Sequence, residues 1–159
     1  MSTKKGLLKE WLVNHQQYSL SFTPGNENLD QAIILKQIDQ LVVKGSFKET
    51  IYILYIVSKI EGIVPVYVGR SNNPLNRWKA HLKGLVRGQG SYKEWRTLLL
   101  DDAGKFKYKV GLFIVTDSVL SQPPIPGFPC TIGSVEYQLV SLISDAYPNT
   151  LLNHEGNRR

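Results

Sequence analysis

The sequence predicts an α/β domain of the α+β type, built on a small, mainly antiparallel sheet of three strands flanked by helices. The first observation is an apolar, β-branched and aromatic run, "TIYILYIV" at 50–57, which is followed by a second strand-like run, "VPVYVG" at 64–69. The second is that apolar residues recur at helical spacing on both sides of these runs. The third is composition, since 159 residues with 42% hydrophobic and 20% charged side chains suit one packed domain.

Residues 1–46 are predicted to form a helical extension before the main domain at 47–159. A turn-rich loop at 21–28 separates a first helix from a second one at 29–43, which Asn28 is placed to cap and Gly45 to end. The apolar face of the first helix consists of Leu7, Leu8, Trp11 and Leu12. That of the second consists of Ile34, Ile38, Leu41 and Val42.

The two strand-like runs are joined by "SKIEGI", whose turn residues predict a hairpin. After the hairpin, Asn73 and Pro74 indicate the start of a helix. Arg77 and His81 are four residues apart on this helix, so they share a face beside its apolar stripe. The stretch 84–90, bounded by glycines, is predicted to end it. The apolar stripe consists of Leu75, Trp78, Leu82 and Leu85.

The second half of the main domain is predicted to contain a short helix at 92–100, a third strand at 106–115 and a last helix at 134–147. Between the third strand and the last helix the chain has a proline-rich loop. Its four prolines within seven residues exclude a regular element there. They are Pro123, Pro124, Pro126 and Pro129.

Positive charge is concentrated in one part of the sequence. The chain carries a net charge of +6, whereas residues 70–109 alone hold ten basic and three acidic side chains, which gives 10 − 3 = +7. A concentrated positive field favours a polyanion, and nucleic acid is the commonest one. A solvated lysine-rich face is the alternative, and charge alone leaves both open.

The chain contains one cysteine, Cys130, which excludes an internal disulfide and fits a reducing compartment. Its longest apolar run, at 51–57, is far too short to cross a bilayer. The sequence therefore predicts a soluble cytoplasmic protein without a membrane partner.

Four polar side chains suggest chemistry. Tyr67 lies on the second strand of the hairpin, Arg77 and His81 lie on the helix after it, and Glu136 begins the last predicted helix. Hydrolysis of a phosphodiester needs a base for the attacking water, a cation at the developing charge, help for the leaving oxygen and orientation. A tyrosine phenolate can be the base if a cation such as Arg77 lowers its pKa from about 10. Arginine also matches phosphate oxygens, and a single carboxylate can hold a hydrated Mg²⁺ ion.

The runs "TIYILYIV" and "VYVGRSNNPLNRWKAH" resemble the two motifs that name the GIY-YIG nuclease superfamily. In that family an Arg follows the second motif's Tyr by ten residues, and a His or Tyr lies four residues further on. Here Arg77 follows Tyr67 by ten residues and His81 follows Arg77 by four. The family's later Glu and Asn are matched by Glu136 and Asn153, so the resemblance spans 50–153.

The sequence departs from the family pattern at several points. Thr50 stands where the family usually has Gly, and the hairpin connection is a few residues longer than in minimal members. Two tyrosines compete for the role of the first-motif tyrosine: the "TIY" context favours Tyr52, and Tyr55 is the alternative. The stretch 84–133, with its proline-rich loop, is interpreted as an insertion.

The resemblance implies a role for each matched residue. Tyr52 would act as general base or help to activate the water, Tyr67 would position the water, and His81 would relay a proton or orient its partner. Arg77 would stabilise the pentavalent phosphorus. Glu136 would bind one Mg²⁺ or Mn²⁺ ion near the leaving oxygen.

Asn153 would hold the site together through hydrogen bonds, and DNA contacts are expected from Arg70, Lys79, Lys83 and Arg87.

The prediction is a divalent-metal-dependent endonuclease acting on double-stranded DNA. Because 159 residues leave little room for a separate DNA-binding domain, a site-specific restriction-type or phage-type enzyme is favoured. Cutting both strands of a palindrome would call for a twofold homodimer. The alternatives are a structure-specific repair or recombination nuclease, and an inactive nucleic-acid-binding domain with the same fold.

Overall fold

The computed structural model describes residues 3–23, 28–42 and 46–153. In chain order the helices and strands are α1 (Lys4–Asn14), β1 (Ser19–Ser21), α2 (Gln31–Val42), β2 (Thr50–Ser58), β3 (Gly62–Ser71), α3 (Pro74–Arg87), α4 (Tyr92–Leu99), β4 (Lys109–Thr116) and α5 (Ile132–Ala146). A short 3-10 helix, Gln16–Tyr18, connects α1 to β1.

The strands form one antiparallel sheet in the order β1–β4–β2–β3. The predicted α+β class and antiparallel arrangement are confirmed, but the predicted number of three strands was wrong. The additional strand is β1, which pairs with the outer edge of β4. Its three residues, Ser-Leu-Ser, have no strand pattern of their own, so only pairing with β4 makes them a strand.

β2 and β3 form the predicted hairpin, which is paired from Thr50 opposite Ser71 to Ser58 opposite Gly62. Gly62 has φ +75° at the turn, a conformation that glycine adopts readily. β2 lies between β3 and β4, and most of its side chains are buried on both faces of the sheet. This explains why its sequence is a continuous apolar run rather than an alternating one.

Helices cover both faces of the sheet. On one face, Trp78 of α3 contacts the Tyr52 ring edge-on at 5.3 Å between centroids, and α3 packs on α2 and α4. On the other side, α5 packs along β3 and against α1. Within the described ranges, none of the helices combines the length and hydropathy needed to cross a bilayer.

Two predicted helix starts were wrong, those of α2 and of the last helix. α2 is capped by Asp30, whose Oδ1 accepts from the Ile33 N–H at 3.2 Å, whereas Asn28 forms a β-bridge with Lys105. The predicted end of α3 within 84–90 is confirmed: the helix continues through Gly84, ends at Arg87 and is capped by Gly88, which has φ +62°. A single glycine does not end a helix whose flanking leucines are buried in the core. The predicted end of α2 at Gly45 lies outside the described residues.

The last helix begins two residues earlier than predicted, at Ile132, because the Thr131 hydroxyl caps it by accepting from the Ser134 N–H at 3.4 Å. Glu136 therefore lies in the second turn rather than the first. The positive end of the helix dipole therefore contributes little to stabilising the Glu136 carboxylate, because this effect falls off beyond the first turn.

Candidate functional site

Tyr52 and Tyr67 lie on the same face of the hairpin. Tyr52 pairs with Gly69, and Tyr67, two residues before Gly69, pairs with Leu54. Side chains two residues apart on a strand project from the same face, so the two rings stack with centroids 6.2 Å apart and planes 23° apart. Gly69 leaves room for the Tyr52 ring, since a Cβ at position 69 would lie 2.5 Å from its hydroxyl oxygen.

Tyr55, the alternative first-motif tyrosine, projects from the opposite face. It pairs with Gly111 on β4 and its ring lies against that glycine and 5.3 Å from the Phe113 ring. Tyr55 therefore lies apart from the side chains around Tyr52. The structure brings Tyr52, rather than Tyr55, together with Tyr67 and His81.

His81 is directed into the core from α3 and is only 2% exposed. This differs from the predicted position on a face beside the apolar stripe. Its Nε2 lies 3.3 Å from the Tyr52 hydroxyl, and its Nδ1 lies 2.9 Å from the Tyr92 hydroxyl. The imidazole is enclosed by the rings of Tyr52, Tyr67, Trp78, Tyr92 and Trp95, with centroids 4.8 to 5.9 Å away.

The enclosure fixes the charge of His81. Burial, with a smaller contribution from the positive charge of Arg77, lowers the pKa of His81 to about 3. The imidazole is therefore neutral at physiological pH, with one N–H donor and one acceptor nitrogen.

Arg77 lies one turn before His81 on α3, and its side chain is exposed at the edge of the same aromatic cluster. Hydrogen bonding and charge from Arg77 lower the pKa of both Tyr52 and Tyr67. Burial is the larger effect, however, and the pKa of each phenol ends above its ordinary value. The prediction that Arg77 gives a tyrosine of lowered pKa was therefore wrong, because desolvation of the phenol outweighs the nearby cation.

Glu136 is contributed by α5. Its side chain is 14% exposed, and its Oε1 lies 3.3 Å from Nε of Arg70. Burial raises the pKa of Glu136, with Arg70 lowering it and Glu49 raising it. The Glu136 charge in turn raises the pKa of both Tyr52 and Tyr67, so this carboxylate acts on the same two phenols as Arg77.

Arg70 follows the second motif on β3 and lies between two carboxylates. Its side chain is 48% exposed, and its NH1 lies 3.9 Å from Oε2 of Glu49 in addition to the contact with Glu136. Gly133 at the start of α5 lies beside the guanidinium, 2.9 Å from NH1 for a Cβ built at that position. Arg70 thus supplies the positive charge next to Glu136 in this structure.

Asn153 holds the outer edge of β3. Its Oδ1 accepts from the Val68 N–H at 3.0 Å and its Nδ2 donates to the Val68 carbonyl at 2.9 Å, while the Leu152 N–H donates to the Val66 carbonyl at 2.6 Å. These bonds satisfy the backbone of an edge strand between Tyr67 and Gly69. At the start of the hairpin, the Thr50 hydroxyl donates to the Ser71 carbonyl at 2.8 Å, so threonine is accommodated at this position.

Lys79, Lys83 and Arg87 form an exposed stripe on α3, spaced four residues apart. In the part of the chain that the structure describes, none of them forms an ion pair or a side-chain hydrogen bond. Other basic residues of the same segment have local structural contacts. Arg96 donates to the Val86 carbonyl at 2.8 Å and Lys107 to the Thr97 carbonyl at 2.7 Å.

Glu136 is the carboxylate of this region that could hold a hydrated divalent cation of the magnesium type. Mg²⁺ prefers oxygen ligands, keeps several waters and is commonly bound through one or two carboxylates. Glu136 is a largely buried carboxylate whose charge is balanced by Arg70. Among residues 3–23, 28–42 and 46–153, no group of three His, Cys, Asp or Glu side chains is arranged to hold a metal ion.

Sequence reasoning missed Tyr92, Trp95 and Glu49. Tyr92 and Trp95 are three residues apart on α4, which predicts a helix face but not its partner. Their contact with His81 depends on how the turn at 88–91 folds α4 back on α3. Glu49 immediately precedes β2, and its position beside Arg70 follows from the pairing of Ile51 with Arg70 in the hairpin.

Comparison with known proteins adds no relative: no family model matches the chain, and neither a curated protein nor a solved structure matches it significantly. The resemblance to GIY-YIG nucleases therefore stays a prediction that is based on the motifs.

Proposed function

We propose that this protein is a divalent-metal-dependent DNA endonuclease of the GIY-YIG type. The observation that carries the proposal is the grouping of Tyr52, Tyr67 and His81 beside Arg77, with Glu136 acting electrostatically on both phenols. A base, a phosphate-binding cation and a carboxylate for a metal ion are the parts that phosphodiester hydrolysis requires. They come from β2, β3, α3 and α5.

The residues have distinct roles in this proposal. Tyr52 is 1% exposed and Tyr67 is 8% exposed, whereas Arg77 is exposed. In this proposal the attacking water therefore enters beside Arg77. Tyr52 takes the proton of this water and His81 accepts the tyrosine's own proton. The Arg77 guanidinium holds the phosphate and stabilises the charge that develops on it. Glu136 would hold a divalent ion, which would supply Lewis-acid chemistry to the reaction.

The stripe of Lys79, Lys83 and Arg87 supplies backbone contacts to double-stranded DNA. Positive side chains without local partners are the ones that can neutralise phosphates and release counterions. The stripe lies on the same helix as Arg77 but on a different face, since residues two apart on a helix do not face each other. In this proposal the DNA backbone crosses α3 and contacts both. Arg70 is a further phosphate contact, and leaves Glu136 when it binds phosphate.

Plasmid cleavage tests the proposal. The wild-type protein is incubated with supercoiled plasmid and Mg²⁺ or Mn²⁺, beside Tyr52→Phe, Arg77→Ala and Glu136→Gln, with EDTA as the metal-free control. Cleavage by the wild type and a loss of about a hundredfold or more in each variant are expected. Matched controls are Tyr55→Phe, on the opposite face of the sheet, and Glu61→Gln, in the hairpin turn. Both should cleave as the wild type does.

The products separate the kinds of nuclease. Discrete plasmid fragments indicate a site-specific restriction-type enzyme, and a twofold dimer would be expected to cut both strands. Cleavage confined to branched or flapped DNA indicates a structure-specific nuclease. If the wild type and all variants leave every substrate intact but retard it equally on a gel, the protein is a nucleic-acid binder and the proposal is wrong.

A further inference from the structure

Tyr92 lies outside the motifs that resemble the nuclease family, yet it contacts the centre of the proposed site. It is the first residue of α4, and its hydroxyl lies 2.9 Å from Nδ1 of His81. Its ring packs directly against Gly84 of α3, where a Cβ would overlap it. The absence of a side chain at position 84 therefore permits the contact between Tyr92 and His81.

The two nitrogens of His81 join two phenols of different exposure. Nε2 faces Tyr52, which is buried, and Nδ1 faces Tyr92, which is partly exposed. A neutral imidazole has one N–H and one acceptor nitrogen, so one phenol donates to the ring and the other accepts from it. The three groups form one directional chain of hydrogen bonds from the buried hydroxyl towards the surface.

We propose that Tyr92 is a positioning residue that forms the outer end of a proton relay running from Tyr52 through His81 to solvent. The proposal rests on the nuclease function proposed above. In the starting state Tyr52 donates to Nε2, and the Nδ1–H donates to the Tyr92 oxygen.

The proton transfers balance along the chain. As the attacking water gives a proton to the Tyr52 oxygen, the Tyr52 O–H bond breaks and an Nε2–H bond forms. The Nδ1–H bond breaks, an O–H bond forms on Tyr92, and the original phenolic proton of Tyr92 passes to solvent. The hydroxide left behind attacks phosphorus. The reverse shift brings a proton from solvent back to the site for the product oxygen and restores the starting tautomer.

The relay explains how Tyr52 acts as a base although burial disfavours its phenolate. The groups that face His81 are Tyr52, Tyr67, Tyr92 and Arg77. Burial disfavours both a Tyr52 phenolate and a His81 imidazolium, since the pKa of the phenol is raised and that of the imidazole is lowered to about 3. A coordinated shift leaves no charge on either ring, so the tyrosine can accept a proton from water without existing as a free phenolate.

The kinetic test compares Tyr92→Phe with the wild type in single-turnover cleavage. The ring and its packing on Gly84 are kept and only the hydroxyl is lost. We expect the rate to fall about tenfold, less than for loss of a direct base, while the DNA concentration at half-saturation is unchanged. A plot of rate against the D₂O fraction should be more strongly curved for the wild type than for Tyr92→Phe, because the variant has fewer protons in transfer. Tyr108→Phe, which removes an exposed phenol hydroxyl outside this cluster, should match the wild type.

A second measurement does not depend on cleavage. In ligand-free protein with ¹⁵N-labelled histidine, NMR should show the proton of His81 on Nδ1, and Tyr92→Phe should move it to Nε2 because Nδ1 has lost its acceptor. An active wild type with an unchanged rate and tautomer in Tyr92→Phe overturns the relay and leaves the nuclease intact. A wild type inactive on all substrates overturns the proposed function and the relay's role in it, even if the tautomer shifts as expected.

Discussion

The ring of Tyr52 occupies the space that a side chain at Gly69 would take on the neighbouring strand. The two residues are directly paired, and a Cβ at position 69 would lie 2.5 Å from the Tyr52 hydroxyl oxygen. Tyr52 of the first motif can therefore occupy this position only because the second motif has a glycine at position 69. This relationship links a sequence motif to the position of the proposed base.

Gly69→Ala should displace the Tyr52 ring from His81. The ring is packed on Tyr67 and Trp78, so it cannot move without disturbing its neighbours, and we expect the free energy of unfolding to fall by about 1 to 3 kcal/mol. Nuclease activity should fall more than stability explains, because the contact between Tyr52 and His81 is lost. Chemical denaturation and plasmid cleavage at a temperature where the variant is folded measure the two effects.

Gly111→Ala provides a matched control for this substitution. Tyr55 lies over Gly111 in the same way, in a directly opposed pair on the other face of the sheet. We expect a comparable loss of stability but no specific loss of activity. Equal activity in the folded Gly69 and Gly111 variants would contradict the assignment of Tyr52 to the site.

Asn153→Ala should destabilise the edge of the sheet beside Tyr67. The substitution removes two hydrogen bonds and leaves the buried N–H and carbonyl of Val68 without these partners. We expect the free energy of unfolding to fall by about 2 to 6 kcal/mol, since each of the two buried groups left unsatisfied costs about 1 to 3 kcal/mol. Thermal denaturation measures it, with Asn149→Ala, an exposed asparagine of the same segment, as the control. Equal melting temperatures for the two variants would show that the Asn153 bonds contribute little.

The sequence predicted the parts of this fold that depend on local patterns. The hairpin of β2 and β3 and the start of α3 at Asn73 and Pro74 have strong local signals, and all are present. β1 was missed because three residues acquire strand structure only by pairing with β4. Tertiary contacts alone decide such short elements.

The motif spacing predicted which residues lie together in the site, but not how deeply they are buried. Offsets along the chain indicated that Tyr67, Arg77 and His81 belong together. They did not show that five aromatic rings enclose His81, and so the effect of Arg77 on the tyrosine pKa was overestimated. Burial depends on how α3 and α4 pack on the sheet, which no spacing within a single element reveals.

Acid should destabilise the protein between about pH 6.5 and pH 3, and His81 should contribute to this. The pKa of His81 is about 3 in the folded chain and about 6.5 in the unfolded chain, so the unfolded state binds more protons in this window. Its contribution to stability is complete above pH 6.5 and is lost as the pH falls, by at most about 1.4 kcal/mol for each pH unit. The lowered pKa of His15 acts in the same direction, whereas the raised pKa of Glu136 opposes it.

His81→Phe isolates this contribution. Phenylalanine keeps an aromatic ring among the five rings but cannot bind a proton, so the free energy of unfolding should depend less steeply on pH. The comparison is made by urea denaturation at several pH values between 4 and 7. The absolute stability also changes because two phenols lose a partner, and therefore the slope is the quantity to compare. Identical slopes in the two proteins would mean that His81 is protonated in the folded state.

Removing the positive stripe on α3 should weaken DNA binding in a salt-dependent way. Lys79, Lys83 and Arg87 are exposed and unpaired in the described part of the chain, so each is free to neutralise a phosphate. Each alanine substitution should reduce the slope of log K against log salt by about 1 and weaken binding to all DNA sequences similarly. Fluorescence anisotropy with a labelled duplex at several salt concentrations measures the slope. Lys59→Ala removes the same charge at the hairpin turn, at the end of β2 remote from α3, and should leave the slope unchanged. If Lys59→Ala and Lys83→Ala reduce the slope equally, the stripe is an ordinary solvated face, and the DNA contacts lie elsewhere.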